Sequence, residues 1–391
     1  MSVAAEEFVQ RAVTFAQSHP ELLGALLVSL VVLIGGGYVL HQLTRPSGVR
    51  FASVLSDRET VSILTHPNPD PDAMAAAMGV ASLAEQVGTD ATIQFPGQIR
   101  HQENRAFRNV LEVDLYSIDR AEDLESRQVV LVDHNEPRGF SGSETVRPVA
   151  VVDHHPGEGR GEAFTDVRTE YGACSSMIAE YFDDLDATPV PPENHESESD
   201  STYVLPSKVA TGLFFGILTD TDRFTVGIDT ADFAASGYLA PGVDDGLLDR
   251  ISNPQVSAET LEIKATAIRE RQVQGAFAIS DVGEVSNVDA IPQAVDELIL
   301  LEGVTAAIVY GVRDGMLYLS GRSRDDRVHM GKTLDAALET FPDATAGGHA
   351  RMGGGQVPLP DGGTLALPDA VGDDAPKELE DRLFAAMSGE L

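Results

Sequence analysis

Cysteine is almost absent from this chain. Cys174 stands alone among 391 residues, so no intrachain disulfide can form, which fits a reducing compartment. Beside Ser175 and Ser176 it reads as a small, semi-buried helix residue rather than a nucleophile. Lysine is scarce as well: of 27 basic residues, only Lys208, Lys264, Lys332 and Lys377 are lysines. Against these stand 62 acids and a formal net charge of −35. Sequence-tolerant binding to long nucleic acid needs a broad basic footprint, and this composition excludes one. A local group of arginines can still hold a small phosphate. The acid-loaded, lysine-poor composition looks like that of proteins from salt-accumulating halophiles, where carboxylates solvate the surface and salt screens their repulsion. No internal repeat is visible.

Charge is missing from one long stretch. Residues 22–40 form an apolar run with three glycines, Gly35 to Gly37, near its end, and it is just long enough to cross a bilayer. Glu6, Glu7 and Glu21 outnumber Arg11 ahead of it, and no small-x-small cleavage site follows, which favours an anchor over a cleaved signal peptide. Arg45 and Arg50 flank it downstream, with no acid before Asp57. The expectation is a membrane anchor over residues 1–48, with a transmembrane helix at about 22–43. The protein would be single-pass in the cell membrane, with its catalytic part cytoplasmic.

Residues 61–65, 91–95, 129–132 and 149–152 read as strands, alternating with helical segments such as 73–87. This rhythm predicts an α/β fold with a doubly wound, mainly parallel sheet over residues 49–252. Residues 186–203, with Pro189, Pro191 and Pro192, read as a solvated insertion, and residues 253–274 as a helical linker. Strands at 277–282, 305–312 and 316–320 and helices at 291–301 and 333–341 predict a second, smaller α/β domain over 275–391.

Four separated segments each end an apolar element on metal-type ligands. They are His66/Asp70/Asp72, Asp133, Asp153/His154/His155 and Asp220. Three of these elements read as strands, and loops at the carboxyl edge of an open α/β sheet converge on one crevice. Pro69 and Pro71 flank Asp70 and stiffen its loop. Buried charge must be paired or bound to metal. Imidazoles and carboxylates without thiolate suit a pair of divalent ions, which can generate hydroxide and stabilise in-line displacement at phosphorus.

These segments resemble the four motifs of the DHH phosphoesterase family, which includes RecJ-like exonucleases, oligoribonucleases, cyclic-di-AMP phosphodiesterases and family II pyrophosphatases. The matching runs are His66-x-Asn68-Pro69-Asp70-x-Asp72-Ala73, Asp133, Asp153-His154-His155 and Thr219-Asp220-Thr221. The resemblance implies two manganese ions, one held by His66, Asp70, Asp133 and Asp220, the other by Asp72, Asp133, His154 and Asp220. It implies that Asp153 orients a neighbouring imidazole and that His155 faces the scissile phosphate. His134 reads as local structure. The C-terminal part resembles the DHH-associated substrate-binding domain through Gly347-Gly348-His349 to Gly353 and through Ser320-Gly321-Arg322-Ser323. The implied substrate contacts there are Arg322, Ser323, Gly347, Gly348 and His349. Arg351 and Met352 depart from the small residues common in the family's motif. The segment 101–105, with Asn104 and Arg105, is similar to one in membrane-linked proteins of cyclic-di-AMP turnover.

The resemblance therefore implies a manganese-dependent phosphodiesterase of cyclic-di-AMP or short linear dinucleotides, with a small nucleotide as partner and a homodimer as a common family state. The alternatives are a 3'-phosphoadenosine phosphate phosphatase, a short-oligonucleotide exonuclease and a non-catalytic nucleotide sensor at the membrane.

Overall fold

A computed structural model of the protein describes residues 45–99, 101–193, 202–359 and 375–391. The expected membrane helix at 22–43 lies outside the described residues. Among the described residues no helix is long and apolar enough to cross a membrane. The chain divides into two compact units, Met1–Asn253 and Pro254–Leu391.

The first unit begins with helix α1 (Ser47–Ser56) and strand β1 (Thr60–Leu64). Then come α2 (Pro71–Gln86), β2 (Asp90–Pro96), α3 (Gln102–Val110), β3 (Tyr116–Ile118), β4 (Val129–Val132), β5 (Pro148–Asp153) and β6 (Phe164–Val167). After α4 (Cys174–Asp184), the two-residue strands β7 (Thr188–Pro189) and β8 (Val204–Leu205) pair with each other across the proline-rich insertion. Helices α5 (Ser207–Asp220), α6 (Thr230–Leu239) and α7 (Asp245–Ser252) complete the unit.

Strands β3-β2-β1-β4-β5-β6 form one wholly parallel sheet. Each residue of β4 and β5 is buried, which is why both read as unbroken apolar runs rather than alternating ones. Strand order reverses beside β1, so the carboxyl ends of β1 and β4 flank a topological switch point. Asp70 starts α2 by accepting the Ala73 amide at 3.0 Å, and Pro71 occupies the first helical turn, where its missing N–H costs nothing. Small residues then let helices close in on one another. A Cβ at Gly216 of α5 would come within 3.0 Å of Asp72 Oδ1, so glycine there lets the helix pass over that carboxylate.

The second unit contains α8 (Ala258–Arg269), β9 (Gln272–Gln274), β10 (Phe277–Glu284), α9 (Ala290–Leu298), β11 (Ala306–Arg313) and β12 (Met316–Ser323). It ends with α10 (Met330–Leu338), β13 (Thr345–Gly348), β14 (Met352–Pro358) and α11 (Ala375–Ser388). Its sheet runs β13-β14-β12-β11-β10-β9, with only the β10–β11 pair parallel. Strand alternation sends Ala278, Ala307 and Val309 into one core with α8 and α9. It sends Ile279, Ile308 and Leu319 into another with α10 and α11.

Two features differ from the sequence reading. Helix α8, within the segment read as a linker, buries Ile263 and Ala267 in the core of the second unit. The glycine-rich segment, to which the sequence assigned no strand, is a β-hairpin: Gly347 and Gly348 pair with Gly354 and Gly353. Glycines hide a strand from a periodicity search because they supply no apolar alternation.

Candidate active site

Four chain segments meet at the carboxyl edge of the parallel sheet. Just beyond β1, His66 pairs its Nδ1 with the Pro67 carbonyl at 3.0 Å and turns Nε2 inward. That Nε2 lies 3.5 Å from Asp70 Oδ2 and 3.4 Å from Asp133 Oδ2. Asp133 follows β4 directly with φ of 60°, a left-handed conformation that aspartate tolerates better than most residues. His154 pairs Nδ1 with the Tyr171 carbonyl at 3.1 Å. Its Nε2 then faces Asp133 Oδ1 at 3.3 Å, Asp220 Oδ2 at 3.2 Å and Asp72 Oδ2 at 4.0 Å. Asp72 is fully buried and accepts two amides from the first turn of α4, Cys174 at 2.7 Å and Ser175 at 2.8 Å. A helix N-terminus thus holds this carboxylate from behind.

The result is three overlapping donor groups: His66/Asp70/Asp133, Asp72/His154/Asp220 and Asp133/His154/His155. Within each group the donor atoms lie within 4.8 Å of one another. Asp133 Oδ1 and His154 Nε2 are buried and have no hydrogen-bond partner among the described residues. Buried polar atoms are ordinarily satisfied. The contacts of 3.2 to 4.0 Å are those of donors surrounding a cation at about 2.1 Å each. The donor set therefore fits divalent cations.

Electrostatics agree with this fit. Burial opposes charge on His66, but Asp133 and Asp70 outweigh it and raise its pKa to about 10. Burial likewise opposes charge on His154, yet Asp133, Asp220 and Asp72 raise it to about 12. Burial works to raise the Asp133 carboxyl, but both imidazoles hold it well below the usual range. Burial pushes Asp72 and Asp220 upward, and their carboxylate neighbours add to the effect. Crowded carboxylates that resist ionisation and imidazoles that refuse to lose a proton mark a place prepared for positive charge.

Asp153 pairs with His155, a member of the third donor group whose Nδ1 also lies 3.5 Å from Asp133 Oδ1. Asp153 Oδ1 accepts the His155 amide at 3.1 Å and lies 2.9 Å from its Nδ1. The hydrogen bond that Asp153 accepts from the imidazole raises the His155 pKa. The His155 side chain is 53% exposed. Asn135, which the sequence reading passed over, donates to Asp153 Oδ2 at 2.6 Å and locks that carboxylate from the other side. His134 is buried, bonds the Val132 carbonyl through Nδ1 at 2.9 Å, and has its pKa lowered by burial to about 4. It stands outside the three donor groups. Cys174 is fully buried and its thiol is pushed upward by burial, so it is inert.

Some of the expected substrate contacts have other tasks. Asn104 is 5% exposed and donates to the Pro69 carbonyl at 2.8 Å, which braces the Asp70 loop. Arg105 follows it on α3, half-buried. In the second unit, Ser323 is 4% exposed, and its hydroxyl exchanges hydrogen bonds with the Asp325 backbone at 3.0 and 3.1 Å. Its hydroxyl is thereby committed to a turn rather than open to substrate. Arg322 Nε pairs with Asp296 of α9 at 2.8 Å. His349 is exposed at the hairpin tip, where its amide donates to the Met352 carbonyl at 2.7 Å. The first amides of α10, Met330 and Gly331, donate to the Ala350 and His349 carbonyls at 3.0 and 3.1 Å. Arg223, also unremarked in the sequence, is exposed and left-handed, with φ of 56°, three residues beyond Asp220.

Comparison with known proteins now decides the family. Residues 60–217 match the DHH family, N-terminal domain, and residues 274–373 match the DHHA1 domain. This chain carries a DHH domain and a DHHA1 domain. It is 34% identical over 298 residues to an uncharacterized protein of Methanocaldococcus jannaschii, covering 76% of this chain and 58% of the relative. It is 26% identical over 324 residues to the cyclic-di-AMP phosphodiesterase GdpP of Geobacillus thermodenitrificans, covering 75% of this chain and 46% of that protein. The DHH chain thus spans about half the length of these curated relatives. An exopolyphosphatase-related protein from Bacteroides fragilis shares its fold, with a TM-score of 0.62, 17% identity and coverage of 88% of this chain and 96% of that one.

Proposed function

We propose that the protein is a divalent-metal-dependent phosphodiesterase that hydrolyses cyclic-di-AMP or short linear dinucleotides to mononucleotides. One observation carries the reading: Asp133 faces two imidazoles at once, His66 through Oδ2 and His154 through Oδ1. A carboxylate shared in this way is the natural bridge between two adjacent cations. His66 and Asp70 would hold one, and Asp72 and His154 the other. Asp220, 3.2 Å from His154, belongs with the second group. A donor set of oxygen and imidazole without thiolate favours manganese over structural zinc. When bound, the pair supplies Lewis acidity at phosphorus and an acidified attacking water.

The chain's own residues do the rest. His155, held by Asp153 through Nδ1 and half-exposed, would contact a phosphoryl oxygen through Nε2. Arg223 is separated from Asp220 by three backbone steps, at most about 11 Å. Its side chain can approach a second phosphate. The glycine hairpin, His349 and Arg322 of the second unit are the proposed nucleotide contacts. The likeness to a cyclic-di-AMP phosphodiesterase supports the choice of substrate. The apolar run at 22–40 supports a membrane tether with the catalytic part cytoplasmic, which carbonate-resistant sedimentation of the full chain tests.

The deciding experiment incubates the full chain with manganese and, separately, cyclic-di-AMP, its linear dinucleotide and 3'-phosphoadenosine phosphate, with products separated chromatographically. The expected products are the linear dinucleotide and AMP, and chelation abolishes both. Phosphate release from the third compound alone makes the protein a phosphomonoesterase instead. No product from any of them overturns the reading.

A further inference from the structure

Asp232 has no part in the site described so far, yet it is a fully buried carboxylate in the first turn of α6. Its oxygens accept the Gly172 amide at 3.0 Å, the Ser176 hydroxyl at 2.6 Å and the Asp229 amide at 2.7 Å. Two of those donors bracket a single short turn. Between Gly172 and Ser176 lie the Cys174 and Ser175 amides that hold Asp72. Immediately before Gly172 lies the Tyr171 carbonyl that fixes the tautomer of His154. One carboxylate therefore grips both ends of the backbone that orients two of the proposed metal ligands.

The clamp leaves no slack. A Cβ at Gly172 would stand 2.6 Å from Asp232 Oδ2, 2.8 Å from the Gly227 carbonyl and 2.8 Å from Thr221 Cγ2. Thr221 adjoins Asp220, so the same contact reaches the third ligand of that group. By contrast, His66 and Asp70 are held by hydrogen bonds with Pro67, Ala73 and, through the Asn104 brace, the Pro69 carbonyl, a set separate from the Gly172, Ser176 and Asp229 partners of the Asp232 carboxylate.

We infer that Asp232 is a positioning residue that assembles the Asp72/His154/Asp220 locus and leaves the His66/Asp70 locus to its own supports. Resting on the two-cation reading above, this gives an asymmetric expectation. Outer partners of metal ligands commonly tune affinity by about 10- to 100-fold. In Asp232→Asn a single carbonyl oxygen must replace two carboxylate oxygens, and an amide NH₂ confronts backbone donors. Ser176→Ala removes only one hydroxyl from the clamp and is the gentler variant.

The test is calorimetric titration of the full chain with manganese alone, alongside thermal denaturation and steady-state kinetics. Wild type is expected to take up two equivalents. Asp232→Asn is expected to keep one equivalent near its wild-type affinity and to weaken the other by about 10- to 100-fold. Ser176→Ala should show a smaller loss confined to the same equivalent, with kcat falling and KM little changed. Two equivalents bound by both variants as in wild type, even with a lowered melting temperature, would reduce Asp232 to a helix cap and overturn the inference. Equal weakening of both equivalents would overturn it as well. A wild type that binds fewer than two equivalents refutes the two-cation reading itself and takes the inference with it.

Discussion

Asp133 concentrates the chemistry of the site in a single residue. Asp133→Asn keeps its shape and its left-handed backbone but removes the charge that both imidazoles face. The loss of several kcal/mol of charge stabilisation corresponds to a fall in kcat of about a thousandfold or more. Single-turnover kinetics with manganese checks this, and retained activity would refute the shared-ligand assignment. His66 and His154 add a pH dependence. With pKa values raised to about 10 and about 12, both are protonated at neutral pH before a cation arrives. Binding at Nε2 must expel those protons, so manganese affinity rises with pH and falls on acidification. The slope is up to about tenfold per pH unit for each proton displaced. Titration in buffers of unequal ionisation enthalpy counts the protons, and a flat profile would show that neither imidazole is a ligand. The residues that converge here were legible because each ended an apolar run, where an acid or histidine has no packing reason to stand. Asn104, Asn135 and Asp232 carried no such mark. An amide that braces a loop and a carboxylate that caps a helix look like any polar residue until burial and partners are known.

Elements were legible where apolar runs were long, as in β4 and β5, and illegible where small residues replaced them. Helix α10 and the glycine hairpin show the difference. A Cβ at Gly331 would stand 2.5 Å from the Gly348 backbone, which has φ of 144° and cannot yield easily. Gly331 is the second residue of α10, where alanine gains at most the about 1 kcal/mol over glycine that it gains in a helix interior. Here the clash outweighs that preference, and Gly331→Ala should destabilise the second unit by about 2 to 4 kcal/mol. Urea unfolding of the variant measures it, and a stabilised variant would show that the hairpin moves freely on the helix. Helix α4 was legible in so far as Cys174, beside Ser175 and Ser176, read as a helix residue. That its first amides would seize Asp72 was not, because the partner lies on α2, far away in sequence.

At the scale of the whole molecule, the proposed ligands all belong to the first unit, from His66 to Asp220, and none to Pro254–Leu391. A cation that binds only the folded state stabilises that state by about 2.7 kcal/mol at a hundred times its dissociation constant. Manganese should therefore raise the melting transition of the first unit and leave that of the second where it was. Differential scanning calorimetry with and without the metal reads both. Equal shifts would mean that the two units unfold as one.

The wholly parallel sheet has a consequence for how the chain is made. Neighbouring strands that run in the same direction cannot be joined by a tight turn, so every pairing closes a long loop, and such topologies fold slowly. His66 leaves the ribosome well before Asp220, which follows only after the last strand of that sheet and two further helices. A nascent chain displays carboxylates without the means to complete a cage for them. Metal capture is thereby deferred to the end of synthesis of the first unit, when the assembled sheet edge can choose its ion.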